Sequence, residues 1–231
     1  MKRLCALLLV ALFFALVGCS NVKEGDITDF TAWLDSEGFT PSISQRDMIE
    51  KMGGYTYNGQ PFDASCGIFY DSLYGGGYTV YGEEFGFTND YCVSEDRKTA
   101  YYTNLFYTKV PLGGLTLPLG IEFADTFQDV LLKMGITEKL PSEFGSDEGT
   151  DAEMTLYKNE RYTLVFRNLY LSKDLNQVDI PYELVFTEKY TFTDERKGEI
   201  NVTRTIKLTF EPNEKVLHEF SVTIQENYKL K

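Results

Sequence analysis

Through the C-terminal half of the chain, apolar and polar residues alternate with a period of two. In YTLVFRN, Tyr162, Leu164 and Phe166 alternate with polar or smaller neighbours, and in YELVFTEKYTF the phase runs through Tyr182, Leu184, Phe186, Tyr190 and Phe192. INVTRTIKLTF sets Ile200, Val202, Ile206, Leu208 and Phe210 on one side, and Asn201, Thr203, Thr205, Lys207 and Thr209 on the other. VLHEFSVTI groups Val216, His218, Phe220, Val222 and Ile224. Alternation with this β-branched and aromatic content marks half-buried antiparallel strands. TDERKG and EPNEK read as hairpin turns, so the last three strands are predicted to form a meander.

One apolar sheet face needs a cover. In TFQDVLLKMG, Phe127, Val130, Leu131 and Met134 fall at helical spacing, with Thr126 or Asp125 as N-cap and Gly135 at the left-handed C-terminal position. The N-terminal half repeats the order. ITDFTAWLDSEGF is a first helix, with Ile27, Phe30, Trp33 and Leu34 on one side and a stop at Gly38, and SQRDMIEKMG is a second, capped by Ser44. The β-prone segments CGIFYD, YTVYG, EFGFTND and TAYYTNLFYTKV follow. The fold class is therefore α+β, one or two short helices packed on an antiparallel β-meander. At an offset of 82, Asp47, Lys51, Met52 and Gly53 match Asp129, Lys133, Met134 and Gly135. A tandem duplication is one reading of that echo; chance recurrence of a helix end is the other. The expected divisions are 1–18 signal, 19–26 tether, 27–114 N-terminal unit and 115–231 C-terminal unit.

LPLGIEFADTFQDVLLKMGI, followed by strands, resembles the helix-then-sheet module of β-lactamase inhibitor proteins and of the small lipoprotein in outer-membrane β-barrel assembly machinery. The overlap is about twenty residues plus topology. The resemblance implies a binding module, and no functional residue carries over.

The opening segment changes the picture of location. Lys2 and Arg3 precede an apolar run of fourteen residues, Leu4 to Val17, too short for the roughly 20 residues of a spanning helix and fitting a secretory signal. Leu16-Val17-Gly18-Cys19 resembles the bacterial lipoprotein box, which implies diacylation of Cys19 and a bilayer as partner, since two acyl chains give stable anchoring. An ordinary signal peptide ending at a cysteine is the plainer alternative. The expected location is the cell envelope, with the domain on the extracytoplasmic side. Losing Lys2 and Arg3 with the signal takes the formal charge from −13 to −15, which disfavours nucleic acid and anionic headgroups.

Chemistry is sparse. Cys5 falls in the signal. Cys66 and Cys92 form an even pair in an exported chain, for which a structural disulfide is the expectation, against a metal or redox pair or two buried thiols. The single histidine, His218, shares the apolar phase of its strand and reads as tucked against the sheet; alone it makes no metal site. There is no G-x-S-x-G turn, and YGGGYTVYG sits between strands, away from any phosphate-cradling helix start. The acids Glu143, Asp147, Glu148, Asp151 and Glu153 lack calcium-loop spacing. No cofactor and no catalytic constellation are expected. Residues 55–107 are rich in aromatics, and Tyr74, Tyr78, Tyr81, Tyr101 and Tyr107 are the candidate binding surface, because amphipathic rings give contact area at low entropic cost. A Tyr-rich core and sheet edge is the competing reading. The leading functional expectation is a non-catalytic domain for a protein partner. A glycan-binding role for the Tyr-rich region is the alternative, and a hydrolase the third.

Overall fold

The computed structural model describes residues 24–41, 43, 56–57, 60–61, 67–72, 75–81, 85–112, 115–136, 152–168, 182–211 and 216–230. Helix α1 is Glu24–Ser36 and helix α2 is Phe127–Lys133. The strands are β1 (Thr56–Tyr57), β2 (Gln60–Pro61), β3 (Gly67–Ser72), β4 (Gly75–Tyr81), β5 (Phe85–Val93), β6 (Thr99–Thr108), β7 (Ala152–Lys158), β8 (Tyr162–Asn168), β9 (Tyr182–Asp194), β10 (Gly198–Phe210) and β11 (Leu217–Lys229). β1 and β2 make a small hairpin, and the other nine form one antiparallel sheet in the order β3-β4-β5-β6-β11-β10-β9-β8-β7. The α+β class and the meander read from the sequence are what the chain forms.

Two meanders, β3 to β6 and β7 to β11, meet along their last strands, with Phe106 opposite Val222 and Asn104 opposite Ile224. The units divided at residue 114 thus share one sheet. Both helices cover the same face of it. Phe30 of α1 stacks on Phe186 of β9 at 5.1 Å between ring centres, and Trp33 meets Phe220 of β11 edge-on at 5.4 Å. Phe127 of α2 packs on Phe166 of β8 and Phe210 of β10. So α1 rests on strands of the C-terminal meander, while Phe39 just beyond it reaches Phe106 of β6. The indole N–H of Trp33 donates to the carbonyl of Thr116 at 2.6 Å, tying α1 to the segment that leads into α2. The core beneath includes Ile27, Leu34, Val130, Leu131, Leu164, Leu184, Ile206, Leu208 and Val222, all buried.

Both helices end the same way. Gly38 (φ 73°) and Gly135 (φ 73°) take the left-handed position after the last turn. Phe39 N–H then donates to Leu34 O and Ile136 N–H to Leu131 O, each at 2.8 Å. This is the Schellman closure, with a buried apolar residue after the glycine. Open space surrounds Gly135, so backbone conformation, not crowding, demands glycine there. At the other end of α2, Thr126 and Asp129 form a reciprocal capping box, which settles Thr126 as the N-cap and holds the Asp129 carboxyl below its ordinary pKa. Lys-Met-Gly at 133–135 is therefore a helix terminus. Its counterpart at 51–53 lies outside the described residues, as does the helix expected over 44–53.

The phase expected for VLHEFSVTI breaks. Phe210 pairs with Leu217, but Thr209 pairs with Glu219, so His218 is the extra residue of a β-bulge. Leu217 takes the buried place, and the His218 side chain is 45 % exposed, with Nδ1 3.2 Å from Glu211 Oε1. The tucked-in histidine of the sequence reading is corrected to a surface residue beside a carboxylate.

Candidate binding face

Strand alternation gives the sheet two faces of different chemistry. The helix-covered face carries a charged cluster among its apolar residues. Glu188 of β9, fully buried, accepts from Nε and Nη2 of Arg161 at 3.0 and 2.6 Å and from Nε of Arg204 at 2.8 Å, with Arg204 Nη2 as a further donor. Arg204 Nη1 reaches the Asp35 carboxylate and the Phe39 carbonyl at the end of α1. The Tyr190 ring lies within 6 Å of both guanidinium carbons. Burial works against the charge of Arg204, but the hydrogen bonds it donates to Asp35 and Glu188 outweigh it and raise its pKa above the ordinary value. This cluster fastens α1 to the sheet. Further along this face, Lys197 Nζ sits over the rings of Tyr102 and Tyr228, 3.9 Å from Glu226.

No described helix touches the other face. Across it runs a row of hydroxyls: Thr163 opposite Thr187, Thr187 opposite Thr205, Thr205 opposite Thr223, then Leu105 and Thr88. A second row sets Thr191, Asn201, Asn227, Tyr101 and Cys92 side by side. Between β5 and β7 cations and carboxylates alternate, and Lys109 beside Tyr107 adds one further cation. Lys158, Arg167, Lys189, Lys207 and Lys229 stand against Asp90, Glu153, Glu183, Glu199 and Glu219. Two of these meet as ion pairs, Arg167 with Glu153 at 2.8 Å and Lys207 with Glu183 at 3.1 Å. In a chain of formal charge −13, this face carries no acidic excess.

Two depressions mark the face. One, of about 470 Å³, lies between Tyr107, Lys207, Glu219 and Thr223. The Tyr107 ring lies over Gly86 of the neighbouring strand, where an added Cβ would fall 2.4 Å from the ring edge, so the absence of a side chain is what lets the ring lie flat. Burial there, and then the Glu219 carboxylate, push the Tyr107 phenol above its ordinary pKa. The other depression, of about 610 Å³, lies at the rim beside Tyr101, Asn201 and Asn227. Thr191 Oγ1 donates to Asn201 Oδ1 at 2.9 Å, and Asn201 Nδ2 reaches Asn227 Oδ1 at 3.4 Å. Away from this face, Leu112, Leu115, Leu117, Ile121 and Phe123 line an apolar pocket of about 360 Å³.

Of the tyrosines proposed from the sequence, Tyr101 and Tyr107 stand on this face. Tyr78 and Tyr81 lie in β4, in register with Asn89 and Gly86; their side chains, and Tyr74 altogether, are outside the described residues. So are Cys19, Cys66 and the acidic residues 143–151. The expected Cys66–Cys92 bond is corrected. Cys92 carries a free, exposed thiol. Gly67, bonded to Cys66, aligns through Val80 with Phe87, five residues short of Cys92 and two strands away. At about 3.3 Å per residue the offset along the strand is about 16 Å, against a Cα separation under about 7 Å for a disulfide. Among the described residues no group of three His, Cys, Asp or Glu is placed to hold a metal ion. No described helix is long and apolar enough to cross a membrane. Sequence reasoning passed over Asn201, Asn227 and the threonine row: alternation put β10's polar residues on one side, but only the cross-strand register assembles them into rows. Compared with protein-family models, curated proteins and solved structures, the chain matches none.

Proposed function

We propose that this chain is a non-catalytic binding module, held at an extracytoplasmic membrane surface by acylated Cys19, with the sheet face that no described helix covers as the contact surface for another macromolecule. The observation that carries the reading is that this face carries no acidic excess within an acidic chain. A surface kept only soluble has no reason to differ in charge from the rest of the molecule. One that must approach a partner gains from shedding like charge. The hydroxyl and amide rows add donors and acceptors that fit a polar contact, and Tyr101 and Tyr107 add ring area.

The test is a double substitution at the centre of the face, Thr205→Glu with Thr223→Glu. Full-length wild type and variant, matched in circular dichroism and unfolding midpoint, are compared for retention on envelope and secreted material from the native host. Retention by wild type and a loss of about tenfold or more in the variant is the expected outcome, in line with truncation or blocking at a contact centre. Equal retention of both proteins sinks the assignment of the face.

A further inference from the structure

We infer that the rim depression beside Tyr101 is a subsite for a neutral pyranose residue of a glycan, a reading that rests on the binding role proposed above and names its ligand. Three features of the depression point to a sugar. Tyr101 is 43 % exposed, a large ring standing free at the sheet surface. Its neighbour across the strand is Asn227, and the next is Asn201, so platform and two amides follow one another at strand spacing. Such neighbours lie about 4.5–5.5 Å apart at Cα, the scale of one sugar ring. A pyranose presents C–H bonds on one face, which pack on the electron-rich face of an aromatic ring. Around its edge adjacent hydroxyls each donate and accept, and a carboxamide answers them with a carbonyl and an N–H₂ group.

The amides are also pre-oriented. Asn201 Oδ1 is held by Thr191 and its Nδ2 leans on Asn227 Oδ1. Among the described residues, the Asn227 N–H₂ has no protein acceptor, and it lines the depression. Charge decides the kind of sugar. Lys197, Lys229 and Glu199 line the depression. Lys197 is engaged by Glu226 and by the rings of Tyr102 and Tyr228, which leaves Lys229 against Glu199, so an acidic sugar would meet as much repulsion as attraction there. The same balance argues against a nucleotide phosphate. A protein partner would call for clustered apolar anchors at the contact centre, whereas here Tyr101, Tyr228 and Leu230 are interleaved with amides, a hydroxyl and charged side chains. The volume, about 610 Å³, lies within the usual range for small-molecule sites, roughly 300–1,000 Å³, and leaves room beyond a single ring.

The experiment is affinity electrophoresis of the full chain in gels containing laminarin, xyloglucan, galactomannan or soluble starch, with polygalacturonate as the acidic comparison. At least one neutral polysaccharide is expected to retard the wild type. Tyr101→Ala and Asn227→Ala are each expected to weaken that retardation by about tenfold, the scale of losing one central contact, while Tyr101→Phe keeps most of it and polygalacturonate retards nothing. Failure of all four neutral polysaccharides, or retardation unchanged by Tyr101→Ala, overturns the sugar assignment. If envelope retention is still lost in the Thr205→Glu/Thr223→Glu protein, the binding role stands and only its ligand class falls.

Discussion

Replacing Arg204 with methionine isolates what the buried cluster contributes. The Glu188 carboxylate is fully buried and takes hydrogen bonds from two guanidiniums. Methionine fills the volume of the Arg204 stem but withdraws the donors that are buried with Glu188. Arg161 remains, half exposed at 52 %, and compensates only in part. Breaking a buried ion pair from one side costs about 3–5 kcal/mol, because the remaining charge is stranded. The Asp35 branch is worth far less, since that carboxylate is 58 % exposed and exposed pairs contribute about 0–1 kcal/mol. So Arg204→Met is expected to cost about 3–5 kcal/mol, a fall of roughly 6–20 °C in Tm for a chain of this length. Asp35→Asn should cost below about 1 kcal/mol. The double change Arg204→Met/Glu188→Met should recover much of the loss, since apolar replacement of a buried pair is often neutral. Urea unfolding reads this twice. The chain's one tryptophan, Trp33, lies on α1 between Phe39 and Phe220, so its fluorescence follows docking of α1 while circular dichroism follows the sheet. In Arg204→Met the fluorescence transition should precede the other. A cost below about 1 kcal/mol, or single losses that simply add in the double variant, would refute the assignment of the cluster as the fastening of α1.

Two further outcomes follow from the structure and the sequence. Burial first, and then its hydrogen bond with Tyr228, push the Tyr102 phenol up to about 12 from an ordinary 10. The folded state thus favours the neutral phenol; this stabilisation is complete below pH 10 and disappears as pH rises through 12. Alkaline titration by phenolate absorbance should show a late step that Tyr102→Phe removes; an unchanged late step would assign it elsewhere. For the anchor, Cys19→Ala should shift the protein from membrane to soluble fractions and abolish labelling by palmitate. A variant that still sediments with membranes would exclude acyl anchoring at that residue.

The long strands were legible because their apolar phase is local: Val202, Ile206 and Leu208 mark the inner side of β10 without reference to any partner. The helix ends were legible for the same reason, since Thr126, Asp129 and Gly135 act on backbone within a turn of themselves. Arg204, Glu188 and Glu226 sit in the same inward phase as their apolar neighbours. Position pointed them inside, but residue type spoke for the surface; burial prevails because each meets an opposite charge from a distant segment. His218 shows the limit of periodicity, since one bulged residue reverses the phase before it. The pairing of β6 with β11 and the placement of α1 on the far meander depend on contacts between residues more than a hundred positions apart, and the rows of the candidate face on the register between strands, neither of which local pattern encodes.

The seam between β6 and β11 has a consequence for how the molecule comes into being. β11 follows every other described strand in the chain, yet it lies inside the sheet, between β10 and β6. Until Leu217–Lys229 is synthesised, β6 and β10 are both raw edges, and the nascent chain holds at most two separate ribbons. Closure of so distant a pairing is slow, so the sheet is completed only once β11 is available. A protease clip or premature stop just before β11 would split the sheet down its middle instead of shortening one side, leaving two sticky fragments prone to aggregation.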